Sequence, residues 1–292
     1  MFGLREILMK KILVLALTVI IMAFSGGCVS DGGVENLLSD TEISGEPMTV
    51  HFIDVGQGDC TLVDFGDVEI LVDGGGYDTW KKVEDYIKPL INDKIDYVIA
   101  THPDADHVGG LTYILTDFSI GKIIDSGAYK NTETYSNYIA AVGASDAEVI
   151  YDEDMKFDLG GGATLSVIET GDGYEDVNDD SVVSEIRYGN FSLLMTGDMG
   201  VSTEKENLGK FNKVTVLKAA HHGSSYSTSE EFLNRLRPKY VIISAGEGNS
   251  YGHPHPETLS RIEKAGATAL STISYGTIIL ETDGNTISIF GK

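Results

Sequence analysis

The sequence contains few cysteines, few positive charges and only one long apolar run. It has two cysteines, Cys28 and Cys60, in 292 residues, which excludes a scaffold held together by several disulfides. Lysine and arginine number 21 against 45 aspartate and glutamate residues, a formal net charge of −24. A protein that binds nucleic acid over a wide surface normally has a net positive charge. The acidic balance therefore favours small or locally held substrates.

The one long apolar run lies near the N-terminus, at residues 12–24, directly after Lys10 and Lys11. It is too short to cross a bilayer and has the length of a signal-peptide core. Small residues precede Cys28, as they do in a lipoprotein processing site. We therefore predict a signal peptide at residues 1–28 with Cys28 as the lipidated N-terminus. Ordinary signal cleavage that leaves a free Cys28 is the alternative.

The chain after the predicted signal peptide divides into a tether and a domain. Residues 29–47 are polar and aperiodic and contain glycine, which is typical of a flexible linker. Residues 48–292 form the predicted folded domain, in which Cys60 is a core residue. No further apolar run is long enough to cross a membrane, so we expect no transmembrane channel in this chain. The predicted location is the extracellular face of the cell membrane, or the medium.

Strands and helices alternate along the domain in two similar halves. Residues 79–91 carry apolar side chains at helical spacing, and residues 95–100 form a short apolar run typical of a buried strand. A second set of strands begins near residue 160. Two such halves predict an α/β fold in which two sheets are sandwiched between outer helices.

Four potential metal ligands lie in the loop that follows the strand at residues 95–100. They are His102, Asp104, Asp106 and His107. His102 and Asp104 are two residues apart in an extended segment, so they point to the same side. Asp106 and His107 begin the next helix. One loop could therefore supply half of the ligands of two neighbouring metal ions.

The second half of the domain places similar residues at the ends of two apolar strands. Asp198 follows the strand at residues 191–195, and the pair His221 and His222 follows the strand at residues 214–217. Together with the loop, these residues offer oxygen and nitrogen ligands without sulfur. Such a set suits two divalent ions, and the carboxylate of Asp198 can bridge them.

The chain resembles the metallo-β-lactamase superfamily, and within it the metallohydrolase domain of ComEC-type competence proteins for DNA uptake. Residues 102–107 read HPDADH, with Asp104 where most of the superfamily has a second histidine. Further motifs match the competence-type domain in order, at residues 52–59, 178–183, 196–198, 221–224 and 252–256. The resemblance covers roughly residues 48–290.

The resemblance implies a four-layer αββα sandwich with two divalent ions, Zn²⁺ or Mn²⁺. His102 and Asp104 would bind one ion, and Asp198 would bind both. Asp106 and His107 would bind the other ion. The first site would be completed by His221 or by His222, and we favour His221 because it is nearer the strand end. Asp104 replaces a nitrogen ligand with oxygen, which shifts the metal preference from zinc alone towards manganese as well.

The same resemblance suggests roles for other residues. Asp106 or Asp198 could orient the attacking hydroxide, and His253 could protonate the leaving group or donate to a phosphoryl oxygen. Four further residues are candidates for binding the substrate: Asn178, Ser181, Lys218 and Ser224.

The leading prediction is a secreted or membrane-tethered phosphodiesterase, most plausibly a nuclease that acts on extracellular DNA. A hydrolase of small phosphodiesters, or of β-lactam or lactone substrates, is the first alternative. Asp104 counts against the β-lactam and lactone substrates. The second alternative, of another class, is a non-catalytic surface binding protein that keeps the metal for stability.

Overall fold

The apolar strands of this chain assemble into two sheets that pack face to face. The structure, a computed structural model, describes residues 35–39, 47–151 and 153–292. The predicted signal peptide at residues 1–28 lies outside the described residues, as does most of the predicted tether at residues 29–47. Within the described part of the chain, none of the helices combines the length and the hydrophobicity that a bilayer crossing requires.

The first sheet is built mainly from the N-terminal half of the domain. Its strands are β1 Glu35–Ser39, β2 Met48–Phe52, β3 Thr61–Phe65, β4 Val68–Val72, β5 Lys94–Ala100, β6 Ser119–Asp125, β7 Glu148–Tyr151, β15 Ile278–Thr282 and β16 Ile287–Gly291. They lie side by side in the order β1-β16-β15-β2-β3-β4-β5-β6-β7. The strands from β4 to β7 are parallel, so their carboxyl ends reach one edge of the sheet.

The second sheet comes from the C-terminal half. Its strands are β8 Met155–Gly160, β9 Ala163–Ile168, β10 Val183–Tyr188, β11 Phe191–Met195, β12 Val216–Lys218, β13 Tyr240–Ile243 and β14 Thr268–Ser271. They lie in the order β14-β13-β12-β11-β10-β9-β8. The strands from β11 to β14 are parallel, as in the other half.

Helices cover the outer face of each sheet. They are α1 Trp80–Ile87, α2 Ala105–Val108, α3 Leu111–Asp117, α4 Glu133–Ala144, α5 Val201–Glu206, α6 Glu230–Leu236, α7 Pro256–Lys264 and α8 Thr272–Tyr275. Short 3₁₀ turns occupy Leu208–Lys210 and Ala220–Gly223. Helix α1 is shorter than the predicted helix at residues 79–91, because Pro89 has no backbone N–H with which to continue it.

The alternation of side chains along the strands produces three apolar layers. Val63 of β3 packs between the sheets, whereas its neighbour Leu62 packs against the outer helices. On the far side, Leu217 of β12 packs with Phe232 of α6. Cys60 is fully buried in the core beside Leu62, as expected. The predicted αββα sandwich is therefore confirmed.

One part of the predicted tether is structured. Residues 35–39 form β1, which pairs in antiparallel fashion with β16 at the edge of the first sheet. The sequence of β1 shows no apolar alternation, so its pattern gave no reason to expect a strand. Its pairing uses the backbone groups of β16, which would otherwise be an open sheet edge.

Candidate metal centre

The carboxyl ends of the parallel strands of both sheets meet at one edge of the sandwich. In the first sheet, Asp73 follows β4 and the loop with His102 follows β5. In the second sheet, Asp198 follows β11 and the histidine pair follows β12. The fold thus brings together residues that are separated by more than one hundred positions in the sequence.

Four buried side chains form the centre of this edge. Asp59, His107, Asp198 and His222 each offer one potential ligand atom, and these atoms all lie within 4.8 Å of one another. A cluster of this kind is costly to bury unless a cation balances the carboxylates.

His107 is oriented by the carboxylate behind it. Its Nδ1 donates to Oδ2 of Asp73 at 2.7 Å, and the hydroxyl of Thr101 donates to the same oxygen at 2.7 Å. The backbone N–H of Thr101 donates to the other carboxylate oxygen at 2.9 Å. Because Nδ1 carries the proton, the Nε2 lone pair of His107 points into the cluster.

His222 is oriented in the same way from the opposite sheet. Its Nδ1 lies 3.1 Å from the carbonyl oxygen of Ser244, which can only accept, so Nδ1 donates. Its Nε2 lies 3.3 Å from Nε2 of His107. With both Nδ1 atoms donating away from the cluster, the two Nε2 atoms face each other, and a proton or a metal ion between them makes this contact attractive.

Two carboxylates surround the facing ring nitrogens. Oδ1 of Asp198 lies 3.4 Å from Nε2 of His107, and Oδ2 lies 3.4 Å from Nε2 of His222. Oδ2 of Asp106 lies 3.3 Å from the same His222 nitrogen. The structure thus brings together the predicted ligands Asp106, His107, Asp198 and His222.

The other half of the predicted ligand set is more loosely arranged. His102 is buried, and its Nε2 lies 3.9 Å from Oδ2 of Asp198. His221 places its Nε2 3.6 Å from the same oxygen. Asp104 forms an ion pair with Lys130 and is partly exposed. Asp198 lies between the two sets and is within 4 Å of a ring nitrogen of each.

The electrostatics of the cluster favour bound cations. Burial would raise the pKa of Asp198, but the charges of His222 and His107 hold it well below its usual range. Burial would also lower the pKa of His107 and His222, but Asp198 and the neighbouring carboxylates raise both well above the usual value. Burial would raise the pKa of Asp106, but the hydrogen bond with His222 and the charges of His107 and His222 together depress it. The site therefore holds ionised carboxylates and attracts positive charge.

Orphaned polar atoms support a metal-binding role. Among the described residues, Nε2 of His102, Oδ1 of Asp198 and Oδ1 of Asp59 are buried and have no hydrogen-bond partner. Unpaired buried groups of this kind are rare and costly in native proteins. A divalent ion accepts exactly such lone pairs, and the nitrogen and oxygen donors fit Zn²⁺ or Mn²⁺. The residues present therefore fit a metal centre.

The backbone at the histidine pair is strained. His221 and His222 both adopt left-handed conformations, with φ of 50° and 54°. Asp73 does the same, with φ of 58°. Each such residue costs of the order of 1 kcal/mol or more, and such residues concentrate at functional sites. These backbone angles place the His222 side chain in the buried cluster, where it is 2% exposed, whereas the His221 side chain is 29% exposed.

Asp59 is the residue of the cluster that sequence reasoning assigned to no site. It lies in the loop between β2 and β3, and its Oδ1 lies 3.2 Å from Nδ1 of His222. The loop reaches the centre because Gly58 has φ of 131° and no side chain; a Cβ there would lie 2.3 Å from the carbonyl oxygen of Asp106. The GQGD sequence is the signal that could have identified this close approach.

Lys218 does not occupy the position expected of a substrate ligand. It is buried, and its Nζ donates to Oδ2 of Asp59 at 2.7 Å and to the carbonyl oxygen of Ala219 at 3.0 Å. Its charge is thus used to balance Asp59. The electrostatic result is that the pKa of Asp59 falls to about 2, since Lys218 and His222 outweigh the effect of burial.

Ser181 and Ser224, two of the predicted substrate-binding residues, form hydrogen bonds within the loops that carry the candidate ligands. Ser181 is fully buried; its hydroxyl donates to the carbonyl oxygen of Asn178 at 2.7 Å and accepts from the N–H of Asp198 at 3.0 Å. Ser224 is also buried, and its hydroxyl oxygen accepts from the N–H of Tyr226 at 3.3 Å. Both hydroxyls therefore stabilise the loops that carry the ligands.

His253 lies beside the histidine pair of the centre. Its ring centroid is 5.4 Å from that of His221, and its ring stacks on Tyr251 at 5.6 Å. Burial, followed by the charges of the neighbouring histidines, lowers its pKa to about 4. A neutral ring has one N–H, which can donate to a phosphoryl oxygen.

Two clefts open beside the centre. The larger, of about 960 Å³, reaches Asp106 and is lined by carboxylates, tyrosines and one lysine: Asp54, Asp78, Glu247, Tyr77, Tyr251 and Lys82. The lysine is already ion-paired with Asp54 at 3.0 Å. The smaller, of about 490 Å³, reaches Asp198 and His221 and includes Asn178. Both clefts can deliver a substrate to the cluster.

Comparison with known families identifies the architecture. The family model described as metallo-beta-lactamase superfamily matches residues 53–247. The chain is 30% identical over 257 residues to ComE operon protein 3 of Bacillus subtilis, covering 78% of this chain and 32% of that protein. It is 28% identical over 243 residues to Recombination protein 2 of Haemophilus influenzae, covering 81% and 29%.

A further relative is Competence protein ComA of Neisseria gonorrhoeae, which is 30% identical over 227 residues, covering 75% of this chain and 30% of that protein. The chain thus spans about a third of the length of the curated relatives it matches. These matches confirm the resemblance to competence proteins that was drawn from the motifs.

Solved structures share the fold. The metallo-beta-lactamase fold protein YhfI from Bacillus subtilis has a TM-score of 0.55 at 14% identity and covers 81% of this chain and all of that one. Igni18, a metallo hydrolase from Ignicoccus hospitalis, has a TM-score of 0.51 at 20% identity and covers 82% and 98%. At these identities the likeness concerns the fold alone.

Proposed function

This chain belongs to the metallo-β-lactamase superfamily, and we propose that it is a two-metal phosphodiesterase that cuts DNA outside the cell. Membership of the family makes it a metal-dependent hydrolase. The observation that carries the proposal is the pair of facing Nε2 atoms of His107 and His222, 3.3 Å apart and surrounded by acceptors. Such a pair can share a proton when the site is empty, and a divalent ion that replaces the proton would bind both nitrogens.

The ligands divide into two sets around Asp198. One ion would be held by Asp106, His107 and His222, whose potential ligand atoms already converge. The other would be held by His102, Asp104 and His221. Asp198 would belong to both sets. This assignment gives His222 the role of a ligand and places His221, favoured from its position in the sequence, in the more open half.

The chemistry follows from the centre and its surroundings. When bound, two divalent ions lower the pKa of a water molecule and stabilise charge that develops on phosphorus. The carboxylate of Asp106 borders the larger cleft and can accept a hydrogen bond from the attacking water. His253 can donate its N–H to a phosphoryl oxygen. Asp73 keeps His107 in the tautomer that exposes Nε2.

The names of the relatives support DNA as the substrate, since they are competence and recombination proteins. Small phosphodiesters are the second candidate, because the larger cleft is lined by Asp54, Asp78 and Glu247 and its only lysine is ion-paired. This lining would repel the backbone of a long strand. Carboxylate ligation at Asp104 weighs against β-lactam and lactone substrates.

The test is hydrolysis by the purified full chain loaded with Mn²⁺ or Zn²⁺. The substrates are labelled single-stranded DNA and bis(p-nitrophenyl) phosphate. The Asp198→Ala variant removes the bridging carboxylate, and Asp67→Ala, at an exposed position of the β3–β4 turn, is the matched control. We expect metal-dependent cleavage of DNA by the wild type and by the control, and none by Asp198→Ala.

Other outcomes separate the alternatives. Cleavage of the small ester with intact DNA would replace the nuclease by a phosphodiesterase of small substrates. Binding of both ions without hydrolysis of either ester would contradict the phosphodiesterase proposal. A chain that loses its fold on chelation and hydrolyses nothing would be a metal-stabilised binding protein.

We also propose that the chain is exported and anchored through a lipid on Cys28. The support is the basic and apolar pattern of residues 10–24 followed by small residues before Cys28. Expression in cells fed labelled palmitate should label the wild type and leave Cys28→Ser unlabelled. A soluble, unlabelled wild-type chain would contradict the anchor.

A further inference from the structure

A basic cleft lies on the second sheet of this otherwise acidic protein. It has a volume of about 650 Å³ and is lined by Arg187, Asn212, Lys213, Asn234, Arg235 and Arg237. Four of the six lining residues are cations and none is a carboxylate. With only 21 lysines and arginines against 45 acidic residues, such a local excess of positive charge departs sharply from the average surface.

Most of this charge is not neutralised. Arg187 is paired with Glu185, its Nε and Nη2 donating at 2.9 and 2.6 Å. In the described part of the chain, Lys213, Arg235 and Arg237 form no ion pair. All three are exposed. The cleft therefore has a net charge of about +3 when the Arg187–Glu185 pair is counted as neutral.

Arg235 in the last turn of α6 and Arg237 directly after the helix are partly fixed by the backbone. Nε of Arg235 donates to the carbonyl oxygen of Phe211 at 2.7 Å, and Nε of Arg237 donates to that of Asn234 at 3.4 Å. An arginine anchored at Nε loses less side-chain freedom when its remaining N–H groups bind an anion. This favours a guanidinium site for phosphate over a set of freely moving charges.

The basic cleft lies at the opposite edge of the sheet from the metal centre. Lys213 precedes β12, and Arg235 and Arg237 precede β13, whereas the ligands follow β11 and β12. Arg187 pairs with Ser192 at the start of β11, six residues before Asp198. At about 3.3 Å per residue, the part of β11 from Ser192 to the end of the strand alone separates the two sites by roughly 10 Å. One phosphate group cannot contact both.

We propose that the basic cleft binds the phosphodiester backbone of a single nucleic-acid strand. The chemistry is charge complementarity, since arginine forks match phosphate oxygens and the two asparagine amides can donate beside them. The lining has no aromatic ring for base stacking, so the contacts are to phosphate groups, which carry no base sequence. This binding does not depend on the proposed cleavage at the metal centre.

An anionic membrane is the competing occupant, and the lining argues against it. Membrane-surface sites combine basic residues with apolar side chains that enter the lipid. Here every lining residue is polar or charged, and the surface is concave. A groove of this kind accommodates a narrow polyanion better than a flat bilayer.

The test measures binding of a fluorescent 20-nucleotide oligothymidylate by anisotropy, with the full chain and no added metal. The variant is Lys213→Gln/Arg235→Gln/Arg237→Gln. The control is Lys81→Gln/Lys88→Gln/Lys156→Gln, which removes the same charge from other exposed positions. Lys213→Glu alone serves as a second variant, because Lys213 forms no ion pair within the described residues. Circular dichroism checks the fold of each protein.

If the wild type makes about three phosphate contacts, a plot of the logarithm of its association constant against the logarithm of the salt concentration should have a slope near −2. Its affinity should then fall roughly 20-fold between 50 and 200 mM salt. The triple variant should bind at least tenfold more weakly at 50 mM and lose most of the slope, and Lys213→Glu should follow it in part. The control should match the wild type.

Three results would overturn the proposal. The first is a wild type that does not bind the strand. The second is an equal loss of affinity in the triple variant and the control, which would mean that overall charge alone is responsible. The third is binding to vesicles containing 30% phosphatidylserine that requires Lys213, Arg235 and Arg237 while the oligonucleotide is not bound, which would assign the cleft to anionic lipid.

Discussion

Replacement of Lys218 by methionine should destabilise the protein severely. The ammonium group lies 2.7 Å from Asp59, and the side chains are 3% and 7% exposed, so the ion pair is buried. Methionine keeps much of the length and fills the space but leaves the Asp59 carboxylate buried without its cation. Breaking a buried pair in this way typically costs about 3–5 kcal/mol. We expect the free energy of unfolding to fall by about that amount.

The measurement is urea unfolding of the full chain, followed by circular dichroism with and without metal. The Asp59→Asn/Lys218→Met double variant removes both charges and should recover at least half of the loss, because no uncompensated charge remains. Lys213→Met is the control for loss of a lysine. Lys213 is exposed and forms no ion pair within the described ranges, so the change should stay within about 0.5 kcal/mol.

The reasoning would be refuted by a small effect on stability. If Lys218→Met changes the free energy of unfolding by less than about 1 kcal/mol and raises KM instead, the ammonium group binds substrate. That outcome would support the substrate-binding role predicted for Lys218 from the sequence. It would also mean that the ion pair of Lys218 with Asp59 contributes little to stability.

Three further predictions concern pH, backbone and metal. Burial, together with the Asp96 carboxylate, raises the pKa of Glu69 from 4.5 to about 7. The native state therefore holds a proton that the unfolded chain releases. The Tm of the wild type should fall between pH 5 and 8 relative to that of Glu69→Gln, and the same dependence of Tm on pH in both proteins would contradict this. Gly58→Ala should lower both the Tm and the number of bound metal ions, because the new Cβ would lie 2.3 Å from the carbonyl oxygen of Asp106. Gly209→Ala is the control, since a Cβ there has no atom within 4 Å. Native mass spectrometry should find one ion fewer in His222→Ala and a smaller loss in His221→Ala; equal losses would oppose the assignment of His222 to the tighter half of the centre.

The fold and half of the site could be predicted because their signals are local. Apolar runs of strand length and amphipathic helices indicated two layered halves. The loop from His102 to His107 concentrates ligand types within six residues, and it follows a strand whose carboxyl end must lie at the sheet edge. Asp198 and the histidine pair follow strands of the other half in the same way. The positions of the strand ends alone thus placed these candidate ligands at one edge of the sandwich.

The remaining features depend on contacts that no local pattern encodes. Lys218 follows a strand end like the ligands, yet it points to Asp59, which lies 159 positions earlier in the sequence. The choice between His221 and His222 depends on two consecutive left-handed residues, which sequence propensity does not predict for histidine. The strand β1 pairs through its backbone, and its side-chain pattern carries no signal of that pairing.

The distribution of charge is compatible with the proposed action of an acidic chain on a polyanion. The cluster contains the carboxylates of Asp59, Asp106 and Asp198, of which Asp59 is already balanced by Lys218. With the buried carboxylate of Asp73 behind the cluster, three carboxylates there lack a lysine or arginine partner among the described residues, and two divalent ions would bring four positive charges, so the centre attracts phosphate only when it is loaded. The net charge of −24 repels a strand on average, whereas the loaded centre and the basic cleft attract it. A chelated chain should therefore still hold a strand at the basic cleft, without holding it at the position where it would be cut.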